Sequence, residues 1–432
     1  MKNLYCNKLD AAVKACTKSL TDNQRHVGED VGWHQHLGTN KIGIVATSIA
    51  LLYYKMIGKP CLEEEQCLSF LGKRQNQDGG WPYISNTKGE SNVESTCWAL
   101  QALKRYNEVN TYDEILRKGI DWIVSQHTFI ADNDSGWGFI KESVPRVYIT
   151  ALVLRTLVML GRKELQEFES AKQWLVNAQN EDGGWGELSD RGSSFFFTSY
   201  VIVSLLECGY EKTDGVIKKA KTWLEMRLHE FDMEDASLLC YMEFIEKGVG
   251  EERVRIPFFH YVLPYVIKAC IRLNVDNRTI FKAITLLESR TQDGDIEHPM
   301  LENSKIKPIW ALFDSVLSIK EFEGQFEKWN DLHEIILVYK WFWTFGKKNP
   351  LRFIVRYFNM VARTMIMAAV FYGSFVLIKD NWNAVNEWFV GLKDSTTGGI
   401  LISMIAAVVL SVLSWGLKKV KSWVNKLILE KA

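Results

Sequence analysis

The stretch 178–185, Ala-Gln-Asn-Glu-Asp-Gly-Gly-Trp, is nearly identical to the stretch 74–81, Arg-Gln-Asn-Gln-Asp-Gly-Gly-Trp. A third copy with a longer loop runs from Ser125 to Trp137, and weaker copies lie at 31–33 and 291–295. The tryptophans that follow a glycine in these copies recur at positions 33, 81, 137 and 185. A fixed period of about fifty residues indicates a repeat architecture.

Two helical patterns of different character flank each copy of the turn. The upstream pattern is amphipathic, whereas the downstream pattern, at 42–56, 93–103, 147–160 and 196–206, is apolar on most faces. Helices of the second kind are buried, and helices of the first kind lie outside them. Placing inner helices near residues 43, 93, 147, 196, 258 and 308 predicts an all-α fold, an α/α toroid of about six helical hairpins. The long fifth interval predicts an additional outer helix over 234–247.

The turn residues themselves are interpreted as structural. Paired glycines supply the positive backbone φ angles that end a helix sharply. The glutamine side chains can satisfy open backbone groups at a helix end, and the tryptophan rings can cover the turn. The residues assigned this structural role are Gln75, Trp81, Trp137, Gln179 and Trp185.

The composition limits the functions open to the chain. Its 432 residues include 52 basic and 52 acidic side chains, and no basic stripe with interleaved aromatic residues appears in the first 330. This pattern disfavours a nucleic-acid partner. The eight cysteines are scattered singly, which is typical of reduced thiols in a cytosolic domain. The amino terminus lacks the apolar segment of a signal peptide.

The turn motif carries a resemblance to a known superfamily. Gln75-Asn-Gln-Asp-Gly-Gly-Trp81 and Gln179-Asn-Glu-Asp-Gly-Gly-Trp185 resemble the repeated glutamine–tryptophan turns of squalene-hopene and oxidosqualene cyclases, whose fold is shared with protein prenyltransferase β-subunits. The resemblance covers about residues 20–325, which corresponds to one toroid where the triterpene cyclases have two. It implies a class II terpene cyclase-like isomerase or lyase that acts on an isoprenoid.

The resemblance implies a strong carboxylic acid that protonates an alkene, supplied in the family by a D-x-D-D motif. Asn92-Val-Glu94-Ser95-Thr aligns with that motif, so Glu94 occupies the position of the catalytic aspartate, while Asn92 and Ser95 replace the flanking acids. The alternative is that Ser91 or Asn92 caps a helix whose first turn contains a carboxylate.

A second acidic string, Asp232-Met-Glu234-Asp235, matches the motif more closely. The repeat count places it in the outer layer, away from a central cavity. Asp232 as the helix cap and Asp235 three residues later explain it as a capping arrangement. Asp232, Glu234 and Asp235 therefore remain catalytic candidates beside Glu94.

Aromatic residues near the ends of the inner helices form a candidate ligand-binding set. Aromatic faces stabilise carbocations by cation–π attraction, although an aromatic helical core has the same composition. A buried, hydrogen-bonded histidine is the alternative role for His260. Neither an Asp-x-Cys zinc motif nor a DDxxD magnesium motif is present, so neither a metal nor a cofactor is expected. The set is Trp98, Tyr148, Phe196, Phe197, Phe258, His260 and Trp310.

The last hundred residues predict a membrane tail. The predicted organisation is a toroid over 1–333, an aromatic and basic interfacial linker over 334–356, two transmembrane helices within 357–417, and a basic amphipathic tail over 418–432. Residues 398–417 carry no charge over a length that spans a bilayer, and 357–378 are apolar apart from Asn359 and Arg363. A hairpin that enters and leaves on one side is the alternative.

The distribution of lysine and arginine predicts the orientation of this tail. Basic residues flank both predicted spans on their outer sides, whereas the short connecting loop is slightly acidic. The positive-inside rule then places the toroid and both termini in the cytoplasm, on a multi-pass protein of the inner membrane. Self-association into a homo-oligomer through the two helices stays open.

Two functions remain in view from the sequence. The first is a membrane-anchored terpene-cyclase-like protein that binds or acts on an isoprenoid or polyprenyl lipid. The second is a non-catalytic toroid that senses a ligand or partner and drives a two-helix membrane effector, such as a pore in a bacterial antiviral defence system. The substitutions beside Glu94 and the charge of Arg363 keep the second function open.

Overall fold

The computed structural model describes residues 2–37, 39–83, 89–131, 134–140, 143–230, 236–247, 254–291 and 307–326. Within them, long helices alternate between an outer and an inner layer, as the two sequence patterns predict. The outer helices are α1 (Lys2–Asp22), α3 (Glu64–Lys73), α5 (Asp113–Ser125), α7 (Gln166–Asn177), α9 (Gly215–Glu230) and α12 (Asn277–Thr291). The inner helices are α2 (Ile44–Met56), α4 (Val93–Arg105), α6 (Val147–Leu160), α8 (Phe195–Cys208), α11 (Leu263–Leu273) and α13 (Ile309–Phe326). A short helix, α10 (Ala236–Leu239), precedes α11.

The inner helices form a closed ring. Each one contacts the next inner helix along the chain, and α13 packs back against α2. The outer layer closes at the same place, because α1 packs against α12 and α13. Inner helices are buried on nearly every side, and α8 buries all its side chains except Leu206 and Glu207. The predicted toroid of six helical hairpins is therefore confirmed in the described part of the chain.

The tryptophan of each turn is hydrogen-bonded in the same way in four repeats. The backbone N–H of Trp185 donates to Oγ1 of Thr198 at 2.9 Å, and its indole Nε1 donates to the carbonyl of Leu175 at 2.7 Å. Equivalent pairs of bonds join Trp33 to Thr47 and Leu20, Trp81 to Thr96 and Leu71, and Trp137 to Thr150 and Ile123. All four rings are fully buried, so each tryptophan joins an outer helix to the following inner helix.

The glutamines of the two complete turns connect successive repeats. Gln179 Nε2 donates to the carbonyl oxygens of Gly183 and Val216, both at 2.9 Å, and Val216 lies in the next outer helix. Gln75 Nε2 makes the corresponding bonds, to the carbonyl oxygen of Gly79 at 2.9 Å and to that of Ile115 in the next outer helix at 2.8 Å. Gly183 has a φ of +94°, the left-handed conformation that glycine adopts without strain.

Five short antiparallel sheets occupy the connections in the described residues. Each has two strands, and together they extend the turns rather than form a separate layer. The pairs are β1 (Arg25–Val27) with β2 (Asp30–Gly32), β3 (His36–Leu37) with β10 (Lys307–Pro308), β4 (Trp81–Pro82) with β5 (Ser91–Asn92), β6 (Thr128–Ala131) with β7 (Asp134–Gly136), and β8 (Cys240–Lys247) with β9 (Val254–Tyr261).

The β8–β9 hairpin corrects two expectations. The sequence pattern predicts a helix over 234–247 and an inner helix from about residue 258, but 240–247 form β8 and α11 begins only at Leu263. In β8, Glu243 is fully buried, whereas its neighbours Met242 and Phe244 are exposed. This alternation has the two-residue period of a β-strand. Pro264 in the first turn of α11 favours a helix start at this point.

No helix in the described part of the chain is long and apolar enough to cross a membrane. The predicted transmembrane segments within 357–417, the linker over 334–356 and the tail over 418–432 all lie outside the described residues. The membrane anchor therefore stays a prediction from the sequence.

Candidate functional site

A chamber of about 220 Å³ lies at the amino-terminal ends of the inner helices. Its wall is mostly aromatic, and the inner helices and strand β9 both contribute to it. Glu94 and Asp314 are the carboxylates among its described lining residues. The full lining is Gln35, His36, Val45, Ile49, Tyr83, Glu94, Trp98, Tyr148, Phe196, Pro257, Phe258, Phe259, His260, Tyr261, Tyr265, Trp310 and Asp314.

Glu94 lies in the first turn of α4 and is only 3% exposed. The hydroxyl of Tyr148, on the neighbouring helix α6, donates to its Oε1 at 3.0 Å. A carboxyl group in a largely apolar chamber holds its charge at a high energetic cost, and a hydrogen bond to the ionised form reduces that cost. The arrangement can therefore hold a proton and stabilise the anion that remains after the proton leaves.

The start of α4 serves two roles at once. Asn92 caps the helix, because its Oδ1 accepts from the backbone N–H of Ser95 at 3.2 Å. Its Nδ2 donates to the carbonyl of Phe139, so this side chain is committed to backbone groups. The capping alternative is thus right for Asn92, while Glu94, two residues later, faces the chamber.

Burial and the carboxylate of Glu94 raise the pKa values of the surrounding weak acids. Burial first and Glu94 second raise the pKa of Tyr83 to about 12 and that of Tyr148 well above its usual range. Burial also raises the pKa of Cys97 to about 12, with a smaller contribution from Glu94. These three groups stay protonated at neutral pH, so Tyr83 and Tyr148 present neutral hydroxyl groups to the chamber.

The β8–β9 hairpin forms part of the chamber wall and is attached to the ring by charged groups. Glu243 is fully buried, and its Oε1 lies 2.6 Å from Nη1 of Arg146, the residue that immediately precedes α6. Its Oε2 lies 2.8 Å from Nε2 of His260. The His260 ring stacks on Phe196 with centroids 3.8 Å apart, and it meets Tyr148 edge-on at 4.8 Å. The hairpin therefore holds His260 in a fixed orientation beside Tyr148.

Asp314 was not singled out by the sequence reasoning, although it lines the same chamber. It lies on α13, where Oδ2 accepts from the hydroxyl of Tyr265 at 2.9 Å and Oδ1 is 3.4 Å from Nζ of Lys268. Lys268 is 1% exposed, and its ammonium lies 3.9 Å from the centroid of the Tyr265 ring. The available signal was a lysine flanked by apolar residues in α11 and an aspartate in the largely apolar first half of α13.

Most of the predicted ligand-binding residues converge on the chamber. Phe197 does not, because it packs against Tyr241 of the hairpin instead. Phe258 and His260 reach the chamber from strand β9, not from an inner helix as the sequence suggests. The remaining four, Trp98, Tyr148, Phe196 and Trp310, line it from the inner helices.

Two further sequence predictions concern the second acidic string and metal binding. Asp232, Glu234 and Asp235 lie outside the described residues, so their candidacy stays a prediction. Across the described ranges, no group of three or more histidine, cysteine, aspartate or glutamate side chains is arranged to hold a metal ion.

The amino-acid sequence matches one protein family and one curated enzyme. The sequence model of the prenyltransferase alpha-alpha toroid domain matches residues 5–201 and 87–232, which together cover more than half of the chain. The squalene–hopene cyclase of Zymomonas mobilis is 28% identical over 152 residues, which are 32% of this chain and 22% of that enzyme. The match thus spans about a fifth of the length of this curated relative.

Solved structures of similar architecture include variants of the type II terpene cyclase MstE from Scytonema. The complex of one variant with geranylgeranyl dihydroxybenzoate has a TM-score of 0.49 at 14% identity, over 74% of this chain and 98% of that chain. ent-Copalyl diphosphate synthase from Streptomyces platensis has a TM-score of 0.41 at 16% identity, over 62% of this chain and 48% of that one.

Proposed function

Since the chain belongs to the prenyltransferase alpha-alpha toroid domain family, we propose that its chamber binds an isoprenoid and that Glu94 starts a cyclisation by protonating a carbon–carbon double bond. The observation that carries this proposal is the buried carboxyl group of Glu94, which lines an aromatic chamber and accepts a hydrogen bond from Tyr148. An acid in such a place meets an alkene without competition from bulk water.

The proposed reaction moves one proton in and one proton out. The O–H bond of the Glu94 carboxyl breaks as its proton bonds to one alkene carbon, which leaves a carbocation on the other. The π electrons of a second alkene attack that cation and close a ring, and a neighbouring carbon then loses a proton, which forms the product alkene. That proton returns to the Glu94 carboxylate, directly or through water, and restores the acid. Substrate and product are isomers. The faces of Trp98, Phe258 and Trp310 would stabilise the positive charge by cation–π attraction.

Tyr148 supports the acid in this scheme. Transfer of the proton leaves a carboxylate on Glu94, and a hydrogen bond to the charged form makes a carboxyl group a stronger acid. Asn92 and Ser95 cannot add negative charge or a second acidic proton, so Tyr148 takes over part of the support that flanking carboxyl groups would give.

We further propose that the tail holds the toroid at the cytoplasmic face of a membrane. Support comes from the two apolar segments at 357–378 and 398–417 and from the basic residues outside them. An isoprenoid dissolves in the bilayer, so attachment would deliver the substrate to the chamber. Retention of the full chain in membranes after alkaline carbonate washing, with release of a chain ending at 333, is the expected result. Release of both forms would contradict the anchor.

The decisive test of catalysis compares lipids from cells that express the full chain with lipids from cells that express Glu94→Gln. Gln keeps the size of the side chain but cannot donate an acidic proton, so we expect a cyclic isoprenoid in the first extract and none in the second. Glu114→Gln, at an exposed position on α5, is the matched control and should leave the product unchanged. Equal product from Glu94→Gln, or no new product from the unaltered chain, would overturn the proposal.

A non-catalytic, ligand-sensing toroid that drives the tail as a membrane effector is the second candidate. It is favoured by the replacement of both flanking acids by Asn92 and Ser95, since Asn92 is engaged in capping the helix. Membrane depolarisation that persists in Glu94→Gln and disappears in a chain ending at 333 would support this function over catalysis.

A further inference from the structure

The ring encloses a second cavity, of about 530 Å³, toward the carboxyl-terminal ends of the inner helices. This lower cavity has the size of an ordinary ligand pocket, which is roughly 300–1,000 Å³. Part of its wall is apolar and the rest is charged, so it suits a ligand that is mainly hydrocarbon with one polar group. The proposed reaction at Glu94 makes no use of it. The apolar part includes Leu52, Leu152, Val158, Phe313 and Leu317.

Lys268 is the most deeply buried cation among the described residues that line the lower cavity. Its side chain is 1% exposed, against 21% for Arg155 and 28% for Arg272. The other two cations, Lys55 and Arg105, are exposed. Each of the two arginines lies within 2.7 Å of a carboxylate oxygen. Lys268 lies in the middle of α11, where it neither compensates the end of a helix dipole nor joins the arginine network.

The buried ammonium group of Lys268 has few hydrogen-bond partners. It carries three N–H donors, and among the described residues only Oδ1 of Asp314 accepts from it, at 3.4 Å. The ring of Tyr265 lies beside it, with its centroid 3.9 Å from Nζ. Because a buried cation with unused donors is costly, burial lowers the pKa of Lys268. A buried lysine that readily loses its proton is a nucleophile.

Asp314 places an acid next to this amine. Burial raises the pKa of its carboxyl group, so it holds a proton more readily than an exposed aspartate. Its Oδ2 accepts from the Tyr265 hydroxyl at 2.9 Å, which fixes the carboxyl group with Oδ1 toward Nζ of Lys268. Transfer of one proton within the pair gives a neutral amine and a carboxylic acid 3.4 Å apart. A nucleophile and a proton donor in contact are the two groups that condensation with a carbonyl compound requires.

We propose that Lys268 forms an imine with an aldehyde that carries an apolar chain, bound in the lower cavity. Nζ bonds to the carbonyl carbon while one proton moves from nitrogen to the carbonyl oxygen, which gives a carbinolamine. Asp314 then protonates the hydroxyl group, the C–O bond breaks to release water, and the nitrogen lone pair forms the C=N bond. The product is a protonated imine beside the Asp314 carboxylate, with the same net charge as the amine and the acid. Neither an oxidant nor a reductant is needed.

The walls of the lower cavity favour this class of ligand. The apolar part holds the hydrocarbon chain, whereas the carbonyl group reaches Lys268 and Asp314. An aldehyde fits the buried Nζ better than a ketone, because its carbonyl carbon bears a single chain. Lys55 lines the same cavity but is 42% exposed and bonds to Glu108 at 2.7 Å, so water and a carboxylate stabilise its charged form. The site does not involve Glu94, so this inference goes beyond the proposed function and does not depend on it.

Reductive trapping on the purified full chain tests the proposal. Citronellal, an aldehyde with a branched apolar chain, is incubated with the chain at pH 7 in one detergent with excess sodium cyanoborohydride. This reagent reduces a protonated imine to a stable secondary amine, and mass spectrometry of peptides locates the modified lysine. We expect Lys268 to be modified at least tenfold faster than Lys55 and Lys104, which are both exposed.

Two substitutions separate the roles of the pair. Lys268→Arg keeps the positive charge but cannot form the imine, so the fast phase of modification should disappear. Asp314→Asn keeps the size of the side chain but removes the acid that expels water, so modification of Lys268 should slow at least tenfold. Glu323→Gln is the matched control on α13, because Glu323 pairs with Lys320 and is not among the described residues that line the cavity. It should leave the rate unchanged.

Modification of Lys268 no faster than that of Lys55 and Lys104 would overturn the inference and leave Lys268 and Asp314 as a structural ion pair. This comparison is made within the unaltered chain, so it holds even if Lys268→Arg or Asp314→Asn fails to fold. An unchanged rate in a folded Asp314→Asn would overturn the role of its carboxyl group in expelling water. The proposed function stands or falls separately, on the product formed with and without Glu94.

Discussion

Tyr148 on α6 donates its hydroxyl to Oε1 of Glu94 on α4 at 3.0 Å, inside the chamber and across the contact between two neighbouring inner helices. Both side chains are at least 95% buried. The bond joins the candidate acid to the aromatic wall, because the Tyr148 ring also contacts Tyr200, Phe196 and His260. The position of the carboxyl group is thus set by packing as well as by the hydrogen bond.

Tyr148→Phe should reduce cyclisation about tenfold, which corresponds to about 1.4 kcal/mol in the barrier. The ring is retained, so only the hydrogen bond to Glu94 is lost, at a cost in folding of about 1–2 kcal/mol. Product yield and urea unfolding measure the two effects. The control is Tyr106→Phe, which removes a hydroxyl group that donates to the carbonyl oxygen of Leu51 on the inner helix α2. This substitution should lower stability and leave the product yield unchanged. Unchanged product from Tyr148→Phe would show that Glu94 acts without this support.

Thr198→Val should destabilise the toroid by about 1–3 kcal/mol, because it leaves the buried N–H of Trp185 without its acceptor. Valine keeps the shape of threonine, so packing changes little. The free energy of unfolding from urea titration gives the comparison, and Thr198→Ser should recover most of the loss. Thr222→Val on the exposed face of α9 should stay within about 0.5 kcal/mol of the unaltered chain. Similar free energies of unfolding for the two valine variants would contradict the structural role assigned to the turn.

Gly183→Ala should cost about 2–3 kcal/mol, since the φ of +94° strains any residue with a Cβ. The added Cβ would also lie 2.7 Å from the carbonyl oxygen of Lys219, a backbone atom that cannot turn away. Gly192→Ala in the same loop is the control, because nothing lies within 4 Å of its Cβ. Thermal unfolding of the two variants should differ clearly, and equal melting temperatures would contradict the assigned strain.

The Glu207 ion pairs should make stability depend on pH. Burial would raise the pKa of Glu207, but Arg155 and Arg272 outweigh it and bring the pKa to about 2, below the ordinary value of 4.5. A depressed folded pKa contributes stability above the unfolded pKa, and this contribution is lost as pH falls from about 4.5 to about 2.

Glu207→Gln should therefore be about 2 kcal/mol less stable at pH 7, a value discounted for partial exposure of the group. The gap between this variant and the unaltered chain should close as the pH falls from 4.5 toward 2. Urea unfolding at several pH values measures it, with Glu164→Gln at an exposed position as the control. A gap that stays constant down to pH 2 would contradict the assigned ionisation.

The toroid could be predicted from the sequence because its signals are local. The glycine–tryptophan turns, the period of the repeats and the contrast between amphipathic and apolar helices all lie within single repeats. The β8–β9 hairpin was missed because the segment 234–247, which mixes charged and apolar residues, was assigned to a helix. Its alternation around Glu243 was the signal that a strand requires.

The interior of the ring was predictable only in part. Glu94 could be found because the superfamily motif aligns with it, and the aromatic set because inner-helix ends are easy to place. The pairing of Lys268 with Asp314 joins residues 46 positions apart on neighbouring inner helices, α11 and α13. No periodicity within one helix indicates such a contact, since it exists only once the two helices pack together.

The seam where α13 meets α2 has a consequence for folding of the nascent chain. Neighbouring hairpins elsewhere join segments about fifty residues apart, but the seam pairs His36–Leu37 with Lys307–Pro308 and bonds Tyr5 to Thr285. Contacts of such long sequence separation form late, because the entropy of closing the loop must be overcome first. We expect the growing polypeptide to remain an open arc on the ribosome until α13 emerges, and its apolar interior to be accessible to chaperones until then.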